Sequence, residues 1–271
     1  MSFELWRPEL PEPGVIAFLA PCLAMWILGF GGLAGWLKLR RGLRTGDTRK
    51  LFHFSIFFLA AGVHASYGPA GVNLLGCLAA IYIGYCLLNG DGNPLYEALA
   101  RESDHPRRSL HILIPFLATA AGGICSLSLF GEYALFGFAI CGIADAIAEP
   151  IGIRLGRHRY RSLNLPGCKA SHRAFEGSLA VFAASFLVAV LIQSTTLNPL
   201  TPLSPAHSLL PAATIATGAT LAEGLSPHGT DNFTIQLAAS GIAFTCPNLS
   251  NAAGVNRIPP DVRRTARRGL G

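Results

Sequence analysis

Asp145 and Glu149 stand four residues apart within an apolar run. On a helix that spacing puts both on one face, with Cβ atoms roughly 5–6 Å apart. Two carboxylates so close repel unless a positive group lies between them. A Mg²⁺ ion suits the place, because it takes oxygen ligands, keeps several waters and bridges substrate phosphates. Glu176 falls in FEGS (175–178), and Glu223 and Asp231 border a short polar stretch further on. All five acids lie in or beside apolar runs. A charge at the bilayer centre costs about 2.5–3.5 kcal/mol on insertion scales, so such residues are functional or paired. The expected metal ligands are Asp145, Glu149, Glu223 and Asp231. The expected catalytic carboxylates are Asp145, Glu149, Glu176 and Asp231.

Plainer roles compete with these. Asp145 can pair with Arg154 or Arg173 inside a bundle. Glu176 in a first helical turn favours the helix dipole. Asp231 and Asn232 can cap a helix. The loop 152–173 carries Arg154, Arg157, Arg159, Arg161, Lys169 and Arg173, which satisfies a positive flank at a membrane surface. A phosphate-bearing ligand held by a metal accounts for the acids and the basic residues together.

The elements that must position these groups are membrane helices. Hydrophobic types make up 51% of the 271 residues and charged types 13%, about half the charged share of a soluble domain. Mean hydropathy is +0.43. Apolar windows run over 14–37, 52–67, 70–88, 110–130, 133–153 and 177–197, with shorter ones richer in Thr and Ser at 207–222 and 233–246. A crossing takes about 20 mainly apolar residues. The expectation is an all-α, polytopic membrane helix bundle of about 7–8 transmembrane helices, the last two broken or re-entrant. Residues 1–13 form an extracytoplasmic segment, 14–246 one membrane-embedded catalytic domain, and 247–271 a poorly ordered basic tail. Pro150 removes a helical hydrogen bond beside Glu149 and predicts a broken helix lining a polar cavity.

The net charge of +6 invites a nucleic-acid partner, but its distribution excludes one. Lys and Arg cluster at 38–50, 101–108 and 154–173 and are missing from 111–153 and 174–256. Basic loops alternate with neutral ones, as the positive-inside rule requires. The N-terminus is then outside and the acids gather near the cytoplasmic side of an inner membrane. Glu4, Glu9 and Glu12 against Arg7 do not make the basic start of a signal peptide. The seven Cys form no CxxC and read as small buried hydrophobes, and the His show no metal-binding spacing. There is no GxxxxGK[ST], so phosphates are not held in a P-loop.

Four blocks resemble the lipid-alcohol kinases that include phytol kinase, dolichol kinase and CTP-dependent diacylglycerol kinase, a group similar to phosphatidate cytidylyltransferase. RKLFHF (49–54) resembles the group's Arg-Lys-x-x-His block. ADAIAEPIGIRLGRHRY (144–160) resembles its Gly-Asp-x-x-Ala-Glu-x-x-Gly-x-x-x-Gly-Lys block, and KASHRAFEGS (169–178) its Lys-x-x-Glu-Gly-Ser block. LAEGLSPHGTDNFTIQL (221–237) resembles its Glu, then Asp-Asn-Leu-Thr block. Ala144, Arg157 and Phe233 stand where the group commonly has Gly, Lys and Leu. The tail beyond Cys246 matches nothing in it.

The resemblance implies a multi-helix membrane fold, Mg²⁺ and a cytidine nucleotide as phosphoryl donor. It adds a nucleotide- and phosphate-binding set: Lys50, His53, Arg157, His158, Lys169, Arg173, Gly177, Ser178 and Asn232. The expected reaction moves a phosphoryl group from CTP, or a related nucleotide, to a membrane lipid alcohol: a prenol such as phytol or polyprenol, or diacylglycerol. The same acids would serve CDP-lipid synthesis from a phosphorylated lipid. A transporter would instead call for inverted repeats and acids at mid-membrane.

Overall fold

A computed structural model describes residues 9–163, 172–198, 202–227 and 229–252. The basic tail and Lys169 lie outside the described residues. Eight α-helices carry the chain: α1 (Pro13–Arg41), α2 (Thr45–Asn89), the one-turn α3 (Pro94–Glu97), α4 (Leu110–Phe130), α5 (Ala134–Leu155), α6 (Phe175–Ser194), α7 (Pro205–Leu225) and α8 (Asp231–Ala252). Their ends follow local chemistry. Proline opens α1, α3 and α7, where its missing N–H costs nothing. Gly42 closes α1 in the left-handed conformation.

Helix α2 is two arms. Gly68 sits at φ +61°, ψ −160°, outside helical geometry, and Pro69 follows. Only glycine adopts that conformation freely, and proline cannot continue the hydrogen-bond ladder. The arms fold back on each other: the Phe52 ring stacks on Tyr82 with centroids 5.0 Å apart. A straight helix would hold them about 45 Å apart. Helices α4 and α5 form a second hairpin across the 3-10 turn Gly131–Tyr133. The break at 68 falls between the windows 52–67 and 70–88, as expected. Pro150 breaks nothing, because α5 runs through it to Leu155. Membrane helices tolerate proline where neighbours satisfy the freed carbonyl.

Helix α5 is the hub. It packs on the first arm of α2, on α6 and on α8, and α8 packs on α4 and α7. Small residues allow the closest approaches. A Cβ on Gly142 would lie 2.5 Å from Phe57 Cβ, and one on Gly177 would lie 2.9 Å from the Ala148 carbonyl oxygen. Phe136, Ile140 and Cys141 on α5 are fully buried.

The outer face is apolar: Phe18, Met25, Phe58, Ile81, Leu88 and Leu187 are all exposed. Four stretches are long and apolar enough to cross a membrane: Pro13–Arg41, Thr45–Asn89, Leu110–Leu155 and Phe175–Ser194. The second and third are the two hairpins. The protein is therefore an all-α membrane protein. The expected count of 7–8 crossings finds less support: α7 and α8, rich in Thr, Ser and Gly, are not among those stretches. Nor are they broken, as had been expected; each is one continuous helix of 21 or 22 residues. Cys22 and Cys77 are exposed rather than buried.

The sequence did not foreshadow the sheet found among the described residues. β1 (Arg159–Arg161) pairs antiparallel with β2 (His172–Ala174), Tyr160 opposite Arg173. This ribbon lies at the same end as residues 90–109, the start of α2 and the turn between α7 and α8. Contacts join these parts: Arg101 to Glu149 on α5, and Ser162 to the Ser226 carbonyl at 2.8 Å.

Candidate functional site

At that end a cavity of about 840 Å³ opens among both arms of α2, α4, α5, α8 and the ribbon. Its charged walls form two groups. In the first, Asp145 on α5 is ion-paired with Lys50 on α2. His53 Nε2 lies 3.4 Å from Asp145 Oδ2, too long for a good hydrogen bond, and finds no other partner. One turn on, Glu149 accepts from Arg101 through both oxygens at 3.1 Å and faces Lys50 at 3.6 Å. Lys50 and His53 are three apart on α2, so both reach the same carboxylate.

The second group centres on Arg173 of β2. It is ion-paired with Glu223 at the end of α7 and lies 3.4 Å from Asp231 at the start of α8. Glu223 is 3% exposed, and its Oε2 has no hydrogen-bond partner. Such an oxygen costs free energy unless something reaches it. The groups are joined across the α5–α8 contact. Cys141, one turn before Asp145, has its Sγ 3.7 Å from the Asn232 carbonyl oxygen, next to Asp231.

Asp145, Glu149, Glu223 and Asp231 therefore share one cavity, as do Lys50, His53, Arg173, Gly177, Ser178 and Asn232. Three expected members do not join it. Glu176 turns to the ribbon, accepting from the His158 backbone N–H at 3.2 Å and meeting His158 Nδ1 at 2.8 Å. Its role is to hold the turn after α5. His158 and Arg157 are exposed and do not line the cavity. Both precede the ribbon, whose Arg159 and Arg173 do line the cavity. Gly177 also has a packing role, since α6 approaches α5 there. Asn232 donates to Thr119 Oγ1 at 2.9 Å and ties α8 to α4. Ser178 bonds the Tyr160 hydroxyl at 2.7 Å.

The pairing of Asp145 with Arg154 or Arg173 does not occur; its partners come from α2. Nor do the four carboxylates converge on one point. Among the described residues no three His, Cys, Asp or Glu side chains gather closely enough to hold a metal ion. The donors still suit a hard cation. They are all oxygen, and Glu223 Oε2 is without a partner. Mg²⁺ commonly uses one or two carboxylates, substrate phosphates and water rather than an all-protein cage.

Sequence reasoning passed over Arg49, Arg159 and His172, which line the cavity, and Arg101, which holds Glu149. Loop composition alone presents all three arginines as positive flanks. Arg101 is itself held in place. Arg108 donates from Nε to the Arg101 carbonyl at 3.2 Å. Arg108 in turn meets Glu97 at 2.8 Å, and Lys38 meets Glu97 at 2.7 Å. Burial would raise the Glu97 carboxyl, but the bonds from Arg108 and Lys38 outweigh it and bring it down to about 2.

The chain is similar to phytol kinase of Synechocystis sp., 27% identical over 230 residues, which is 84% of this chain and 91% of that enzyme. No protein-family profile and no solved structure matches it. The similarity supports the polyprenol and phytol kinase-type group that the four sequence blocks resemble.

Proposed function

We propose that this protein is a lipid-alcohol kinase that uses Mg²⁺ and moves the γ-phosphoryl group of CTP, or a related nucleotide, to the hydroxyl of a prenol such as phytol. One observation carries the reading. A single cavity joins intramembrane acids and basic residues at one end to apolar walls at the other. A nucleotide's phosphates suit the first and a hydrocarbon tail the second. Similarity to a phytol kinase along most of the chain points the same way. The basic loops at the charged end orient it to the cytoplasm.

In this reaction the alcohol oxygen forms a bond to the γ-phosphorus. The bridging P–O bond breaks, CDP leaves, and the hydroxyl proton passes to Asp145. Arg49, Arg101, Arg159 and Arg173 neutralise charge on the phosphate oxygens. Positioning and charge neutralisation supply most of the rate in such transfers. Glu223 and Asp231, which meet at Arg173, would hold Mg²⁺. When bound, the ion would supply charge neutralisation to the phosphates.

The test is purified protein in detergent with labelled CTP and a panel of lipid alcohols. CDP and a phosphorylated lipid are expected. Pyrophosphate and a CDP-lipid, formed only with phosphatidate, would replace this reading with cytidylyl transfer. D145N should cut turnover about 10²–10⁴-fold and leave the yield and size-exclusion profile of the membrane protein unchanged. Wild-type turnover in D145N would discredit the assignment.

A further inference from the structure

Phosphoryl transfer needs only the charged end of the cavity. The remainder is a long apolar slot. α4 lines it with one helical stripe, Ile112, Phe116, Ala120, Ile124 and Leu127, and the second arm of α2 lines it with Gly76, Cys77, Ala80 and Ile83. From Ile112 to Leu127 the stripe runs about 22 Å at 1.5 Å per residue. One leaflet of a hydrocarbon core about 30 Å thick is about 15 Å deep, so the stripe is longer than one leaflet. Leu10 and Asn73 line its far end, where the Asn73 amide donates to the Glu9 carbonyl at 2.8 Å.

The slot is open sideways. The second arm of α2 and α4 touch only sparsely, and Gly76, Cys77, Ala80 and Ile124 along the seam are exposed. At its charged end it meets Oε2 of Glu223, 3% exposed and without a partner, and further along, beside Gly123, Oε1 of Gln236, 0% exposed and likewise without one. A built polar site, an apolar extension and a lateral seam of small residues call for a lipid occupant.

We propose that the seam between α2 and α4 admits the hydrocarbon tail of the alcohol from the bilayer, and that the slot then selects one extended chain by its length. This rests on the kinase reading above. The stripe's length argues for a single chain longer than one leaflet is deep rather than two chains that end within it. Ala120 and Ala80 set the width, and Leu10 and Asn73 set the end.

Two measurements test it. In the first, single-chain primary alcohols of increasing length are compared with diacylglycerol as acceptors. KM should fall by up to about fourfold per methylene newly buried and level off once the tail reaches the far end. Diacylglycerol should be the poorer acceptor. A120F should shift the optimum to shorter chains and lower the long-to-short ratio of kcat/KM at least tenfold. A flat length profile, or an active A120F with an unmoved ratio, overturns the inference.

The second needs no turnover. Cys77 lines the slot, while Cys22 is exposed on α1. Phytol should slow alkylation of Cys77 by a membrane-permeant maleimide, read by mass spectrometry on wild-type protein, and leave Cys22 unaffected. Equal labelling with and without phytol overturns the slot. Protection of Cys77 in a protein that phosphorylates no alcohol would keep the tail site and remove the kinase reading.

Discussion

The side chain on which most depends is Arg173. It bridges Glu223 and Asp231 from two different helices, with Glu223 almost wholly buried. Removing one partner of a buried pair leaves an uncompensated charge, typically about 3–5 kcal/mol. R173M should therefore lower thermal stability in detergent by that order. R173M/E223Q should recover part of the stability and none of the turnover, because the phosphate site stays broken. Equal melting temperatures for R173M and wild type would show that water already screens Glu223. At this scale the sequence displayed which acids fall in or beside apolar runs but not their partners. Lys50 and Asp145 are 95 positions apart, and no local periodicity relates them. Only the family-like block 49–54 had placed Lys50 and His53 with the site.

At the scale of elements, site geometry depends on how closely α5 approaches its neighbours. Gly142 stands one turn from Asp145 and faces Phe57 on α2. A side chain there has no space unless the helices part. G142V should cost roughly 1–3 kcal/mol, as overpacking does. It should also reduce turnover, since parting α5 from α2 separates Asp145 from Lys50. Detergent melting curves and kcat measured together check both effects. Loss of stability with full kcat would mean that the pair survives the shift. Helix positions were readable because apolar windows of crossing length follow composition. Pro150 misled because a proline's effect depends on what surrounds it, which the sequence does not display. The ribbon 159–161 with 172–174 is short and charged, and strands of that kind carry no periodic signal.

Across the whole molecule, the Lys38–Glu97–Arg108 cluster fastens α1 and residues 90–109 to the end that bears the site. Its pH dependence has a definite sign. The Glu97 carboxyl is held at about 2 in the folded protein, against an ordinary value of 4.5. Its contribution is complete above the ordinary value and fades as pH falls from about 4.5 through 2. The melting-temperature gap between wild type and E97Q should be widest near pH 7 and close on acidification across that window. A gap that does not change with pH would mean the carboxyl binds its proton equally in both states. Arg108 holds the Arg101 carbonyl, so E97Q should also weaken turnover through Arg101 and Glu149.

Composition and the placement of charge were enough, without coordinates, to establish a helical membrane protein with its acids gathered at one end. Membrane burial makes apolar length and stray charge costly, and both costs can be read from residue types alone. Register between distant helices decided the rest: which basic group meets which acid, that Glu176 turns away while Arg101 holds Glu149, and that one slot continues from the charges between apolar walls. Those outcomes follow from side-chain packing and small-residue contacts between segments far apart in the chain.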